Sequence, residues 1–182
     1  MALTNQGEVF TWGWGEQGQL GHGDDSNQPL PKLVETLREV LYIGAGTQFS
    51  MALTYYGELY AWGHNDMGQL GIGNTTMQKA PVRVKKVQNV LHFACGTSHA
   101  VAVTWEGAGM QSVVWQWGQQ NTHGKVQTLP LQVNELAHKG IHRVACGEWH
   151  SLALSLAGEV YTWTLGQTPT RVKDLSGVCV KQ

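Results

Sequence analysis

At 182 residues the chain is long enough for one globular core or several small modules. Only 14% of its residues are charged, while 23 are glycine and 8 are tryptophan, which excludes a disordered chain and points to a compact all-β protein with tight turns. The formal net charge of -1 carries no basic footprint, so a nucleic-acid partner is not expected, and no apolar run is long enough to span a membrane.

The first predicted element is the strand Met1-Ala-Leu-Thr4. It recurs as Met51-Ala-Leu-Thr54, Val101-Ala-Val-Thr104 and Leu152-Ala-Leu-Ser155, at offsets of 50, 50 and 51 residues. A fixed period of this size marks a repeat architecture. Gly7 follows, matched by Gly57, Gly107 and Gly158, where a hairpin must turn with positive φ. The second strand is aromatic: Gly7-Glu-Val-Phe-Thr-Trp12, Gly57-Glu-Leu-Tyr-Ala-Trp62 and Gly158-Glu-Val-Tyr-Thr-Trp163. Phe10 and Trp12 fall on one face and Val9 and Thr11 on the other. The third copy reaches its counterpart, Trp115-Gln-Trp117, after a five-residue insertion. A turn block comes next, Gly18-Gln-Leu-Gly21-His-Gly23 and Gly68-Gln-Leu-Gly71-Ile-Gly73. Its glycine spacing suggests a phosphate loop, but no helix follows and the block recurs in the same place, so it reads as a structural turn. The third strand follows Pro31 and Pro81, and Pro130 and Pro169 in the two shorter copies. The fourth runs into Ile43-Gly-Ala-Gly46, Phe93-Ala-Cys-Gly96 and Val144-Ala-Cys-Gly147. Four short strands in about fifty residues make one propeller blade. The expected fold is all-β: a single region, 1–182, of about four blades of four antiparallel strands. Its modules lie at approximately 1–50, 51–100, 101–151 and 152–182, the last truncated.

The pattern Trp-Gly-x-Gly/Asn-x-x-Gly-Gln-Leu-Gly-x-Gly, then a proline, then Ala-Cys-Gly-x-x-His-Ser-x-Ala-Leu resembles the regulator of chromosome condensation repeat. Residues 12–23, 62–73 and 146–154 carry it. The resemblance implies a seven-bladed propeller. It also implies a family of mixed function: exchange factors for small GTPases, chromatin binders, ubiquitin-ligase accessory domains, scaffolds and a plant ultraviolet photoreceptor, among which fold alone does not choose. Two departures stand out. Phe49 occupies the position of His99 and His150. Copies three and four replace the Gly-Gln-Leu-Gly block with Gly118-Gln-Gln-Asn-Thr-His-Gly124 and Thr164-Leu-Gly166, so one rim should carry remodelled loops. Val180 aligns with Val40, Val90 and Ile141, so the chain is expected to be an incomplete seven-bladed propeller, cut at one seam of the repeat at both ends. Closure as four blades is the alternative.

Cys95-x-x-x-His99 and Cys146-x-x-x-His150 look like paired metal ligands. The first copy has Ala45 and Phe49 at these positions, so they read as equivalent core positions whose histidines bond nearby backbone; no metal or cofactor is expected. The strand tryptophans read as blade pillars. Trp14, Trp105 and Trp149 fall off the pillar position and suit partner anchors. A photoreceptor would need arginines beside its tryptophans, and none adjoins Trp149. No Ser/His/Asp set or close carboxylate pair can be assembled from spacing, so the chain is not expected to be an enzyme.

The expected function is a protein-interaction propeller, a scaffold or regulatory module of a larger protein. Its candidate partner-binding rim comprises Trp14, Glu16, Asp24, Asp25, His64, Asp66, His123, Glu148 and Trp149. One alternative is a guanine-nucleotide exchange factor for a small GTPase, for which the insertion at 108–111 is the only wedge candidate and a short one. Another is a chromatin-binding module, disfavoured by the charge. Three cysteines, Cys95, Cys146 and Cys179, without a CxxC pair and without a signal peptide, point to a reducing compartment, cytoplasm or nucleus.

Overall fold

The computed structural model describes residues 1–107, 111–119, 125–164, 166–175 and 177–181. These form four antiparallel sheets, each a blade. The first blade has three strands, β1 (Ala2–Leu3), β2 (Val9–Gly13) and β3 (Gln28–Leu33). The second has β4 (Val40–Ala45), β5 (Phe49–Thr54), β6 (Leu59–Gly63) and β7 (Gln78–Arg83). The third has β8 (Val90–Cys95), β9 (His99–Glu106), β10 (Gln111–Gln119) and β11 (Val126–Gln132). The fourth has β12 (Ile141–Cys146), β13 (His150–Ser155), β14 (Val160–Thr164) and β15 (Thr170–Arg171). Sheets and sequence copies are out of phase. The segment that closes one copy, such as 40–45, pairs with the strand that opens the next, Ile43 opposite Ala52. The tight turn 46–48 joins the two, which makes the closing segment the first strand of a blade.

The core lies between blades. Val9, Val34, Leu37, Val40, Ala52 and Trp62 form one cluster, bridging the first and second. Phe49, Met51, Leu59, Leu70, Phe93 and Trp117 belong to the cluster between second and third. Val101, Val114, Leu136, Val144, Tyr161 and Trp163 belong to the next. A sheet packed on both faces has no solvent side, so β5 is buried along its whole length and reads Phe49-Ser-Met-Ala-Leu-Thr54 with no polar alternation.

The pillar expectation holds for Trp62 and Trp117, both fully buried, and for Trp163. Each such ring contributes at most about 4–6 kcal/mol by burial. Trp12, in the first blade, differs: it is 41% exposed. The links between consecutive blades carry an unnoticed pattern, Val34-x-x-Leu37-x-x-Val40 and Val84-x-x-Val87-x-x-Val90, all six buried. The amide of the first donates to the preceding blade, Val34 to Val9 and Val84 to Leu59, both at 2.8 Å. Gly57 has φ +73°, and a Cβ there would lie 2.9 Å from the Asn89 Cα, so both conformation and space demand glycine at this hairpin.

Candidate partner-binding rim

In each four-stranded blade the turn from first to second strand and the loop from third to fourth leave at the same end, because all neighbours are antiparallel, and the loop from β2 to β3 in the three-stranded first blade is the equivalent of the latter. One rim therefore gathers the turns 46–48, 96–98 and 147–149 with the loops 14–27, 64–77 and 166–169. Eight of the nine candidate residues fall on it. The ninth, His123, lies outside the described residues. They are not one cluster. Glu148 lines an open basin of 520 Å³ together with Gly46, Thr47, Gly96, Thr97 and Gly147, and Trp149 follows it in the same turn. The other six stand in the outer loops of the first two blades.

Trp14 is 50% exposed and Trp149 43%. Glu16, Asp25, Asp66 and Glu148 are exposed. Asp24 Oδ1 accepts the Ser26 amide at 2.9 Å, a local turn. Asp25 reaches across to Lys79 of the next blade, with Nζ donating at 2.8 Å, and this hydrogen bond holds its carboxyl below the usual carboxylate range. His64 Nε2 lies 3.2 Å from Asp66 Oδ2, and Gln69 Nε2 donates to His64 Nδ1 at 3.0 Å. These turns and loops hold five carboxylates, Glu16, Asp24, Asp25, Asp66 and Glu148, and their described residues include no lysine or arginine, although Lys79 of the adjoining strand neutralises Asp25.

The Gly-Gln-Leu-Gly block is a clamp between blades. Trp62 Nε1 donates to the Gln19 carbonyl and Trp117 Nε1 to that of Gln69, both at 2.9 Å. Ser50 Oγ donates to the Gln19 carbonyl too, at 2.9 Å. Gly21 and Gly71 have positive φ, and Cβ atoms there would lie 2.8 and 2.7 Å from the two indole nitrogens. The turn faces a ring, which leaves no room for an anion. At the third junction the block is missing, and Trp163 Nε1 donates to the side-chain oxygen of Gln116. Gln116 stands where Ala61 stands in the second blade, its amide carbonyl doing the work of a backbone carbonyl.

The Cys-His pairs occupy equivalent places at the axial end of successive blades. The expectation that the histidines bond backbone needs correction for His99, whose Nε2 lies 3.1 Å from the Ser151 hydroxyl of the next blade. The ring is fully buried, and a Cβ on Gly96 would lie 2.2 Å from it. Burial, and then the charge of nearby His150, lower its pKa to about 4. Burial drives the Cys95 thiol well above its ordinary value and pushes Cys146 up to about 12, so both stay protonated and unreactive. Among the described residues no three metal-ligating side chains cluster, and no helix is long and apolar enough to cross a membrane.

Comparison with known proteins gives concordant matches. A family model described as the regulator of chromosome condensation (RCC1) repeat matches residues 6–53 and 56–103, and a second of the same description matches 40–69 and 141–163. The chain is 35% identical to the human E3 ubiquitin-protein ligase HERC2 over 97% of its own length and 4% of that protein. It is 31% identical to the ultraviolet-B receptor UVR8 of Arabidopsis thaliana over 100% of its length and 34% of that receptor. Its fold matches human WBSCR16 at a TM-score of 0.80 with 21% identity, over 97% of this chain and 50% of that one. It matches Prp20p of Saccharomyces cerevisiae, a protein described with binding properties to Gsp1p and histones, at 0.76 with 25% identity, over 96% and 48%. The chain thus spans only a part of each of these proteins.

Proposed function

The chain belongs to the regulator of chromosome condensation repeat family, and we propose that it is a non-catalytic module that docks a protein partner on its loop-bearing rim. One observation carries this: the third axial turn departs from its siblings. Thr47-Gln48 and Thr97-Ser98 become Glu148-Trp149, with an indole 43% exposed in the turn whose Glu148 lines the basin. A half-exposed tryptophan beside a carboxylate suits an interface anchor. Trp14 repeats the pattern at the outer edge, next to Glu16 and near Asp24 and Asp25. The excess of carboxylates favours a basic protein surface and opposes a phosphate backbone, which argues against direct nucleic-acid binding. Three free cysteines support a reducing compartment, cytoplasm or nucleus.

The test is affinity capture with the purified chain, comparing wild type with Trp14→Ala/Trp149→Ala. The double variant should lose its partner set, with each anchor worth about 2 kcal/mol or thirtyfold in affinity. Trp105→Ala, on the opposite rim, should keep it. Equal capture by wild type and double variant would refute the rim. A nucleotide-release assay over a panel of small GTPases separates the exchange reading: acceleration by the chain would replace docking with exchange. The insertion offered for that chemistry, 108–111, lies outside the described residues except for Gln111.

A further inference from the structure

Two equivalent clefts open on the outer edge of the propeller, where the first blade meets the second and the second meets the third. A glycine of the clamp turn lines each, Gly21 in one and Gly71 in the other, and they measure 200 and 240 Å³. The shape repeats, but the charge does not. At the first cleft Lys32 stands with Glu35, and Asp25 of the adjoining loop takes up Lys79 at 2.8 Å. At the second, fifty positions on, these acids are gone: Asn74 and Thr75 replace Asp24 and Asp25, and Lys85 and Lys86 replace Glu35 and Thr36. Both lysines line the cleft and both are exposed. The ion pairs of the described residues include neither, and Arg83 beside them is already held by Glu58 at 2.9 Å.

Ile72, Val82 and Leu129 give the second cleft its apolar lining, Leu129 being 39% exposed. Asn74 Oδ1 accepts the Thr76 amide at 2.9 Å, which leaves its Nδ2 group as a further donor in the lining. Two ammonium groups beside an apolar wall select a ligand that carries carboxylates next to an aliphatic side chain. Two charges are too few to track a phosphate backbone, whose binding depends on a row of neutralised phosphates. We propose that this second cleft docks an acidic segment of a partner protein, an aliphatic residue flanked by glutamates or aspartates. The aliphatic side chain lies against Ile72 and Leu129, and the flanking carboxylates pair with Lys85 and Lys86. The site stands on the outer edge, apart from the tryptophans of the loop-bearing rim, and does not rest on their role.

The probe is a fluorescent peptide, Glu-Glu-Leu-Glu-Glu between glycines, titrated with the 182-residue chain at physiological salt and read by anisotropy. Saturable binding is expected. It should weaken about tenfold or more with Lys85→Glu/Lys86→Glu, and severalfold with Leu129→Ala. The same peptide with glutamine for every glutamate should not bind. Lys139→Glu/Lys173→Glu, which changes the net charge equally at two other exposed positions, should leave binding unchanged, as should Trp14→Ala/Trp149→Ala. No saturable binding, or equal binding by wild type and Lys85→Glu/Lys86→Glu, overturns the cleft and leaves the rim reading standing. Displacement of the peptide by an equal concentration of a single-stranded oligonucleotide also overturns it, because the occupant would then be a nucleic acid. So does a dimer of the chain that Lys85→Glu/Lys86→Glu dissolves in sedimentation, because the occupant would then be a second copy.

Discussion

Replacing His99 with phenylalanine isolates one buried titration. His99 is fully buried between the third and fourth blades, with a pKa near 4 instead of its ordinary 6.5. The native state holds the ring neutral while the unfolded chain protonates it, so between these two values the unfolded state binds more protons and stability rises with pH. On acidification the contribution is lost progressively from about pH 6.5 down to about pH 4, and by pH 4.5 it amounts to about 2–3 kcal/mol. Phe49 occupies the equivalent position in the second blade and is itself buried, so phenylalanine fits the site. At pH 7 His99→Phe should cost about 1 kcal/mol, the bond to Ser151. At pH 4.5 the order should reverse, with the variant the more stable of the two. Urea denaturation of both proteins at pH 7 and 4.5 measures this. His22 and His92 also have lowered values, chiefly from burial, and act in the same direction, but they cancel in the difference between wild type and variant. Equal losses of stability in both proteins would refute the assignment of this titration to His99.

Three further outcomes follow from the junctions and links. Gln116→Ala should destabilise by about 2 kcal/mol in urea titrations, because the buried Trp163 N–H loses its acceptor, even though alanine is the natural residue at the equivalent position 61. Gly71→Ala should cost more than about 2 kcal/mol, since it combines positive φ with a Cβ 2.7 Å from the Trp117 indole. Gly73→Ala, also at positive φ but meeting only the Leu129 side chain at 3.5 Å, should cost clearly less in the same thermal melts. Glu39→Gly should stabilise by up to about 1 kcal/mol by relieving a non-glycine φ of 54°, checked by its midpoint in urea.

The sequence made the repeat plain because a blade is specified locally: an aromatic strand, a hairpin glycine and a proline recur within one period. The pillars Trp62 and Trp117 and the turn at Gly57 were legible for that reason. The boundary of a blade was not, because self-similarity is unchanged by shifting its starting point. Only the pairing of Ile43 with Ala52 fixes the phase. The exposed candidates were legible as loop residues, but Asp25 already has a partner in Lys79, which stands 54 positions away. Aligning copies compares Lys79 with Thr128, and never with the aspartate that it meets.

The same reason explains why the contacts between blades stayed hidden. The bonds from Trp62 to Gln19, Trp117 to Gln69, Trp163 to Gln116 and His99 to Ser151 span 43, 48, 47 and 52 residues, close to one period. A period-length contact always joins different positions of two neighbouring copies, so conservation of each column says nothing about which columns touch. Departures do. The third copy loses its Gly-Gln-Leu-Gly block and, in the same copy, carries glutamine where the others have Thr11, Ala61 and Thr162. Two losses of pattern in one blade, one removing a carbonyl and the other supplying one, are what a single pillar with one N–H to satisfy requires. Gln116 is therefore a repair for the lost turn.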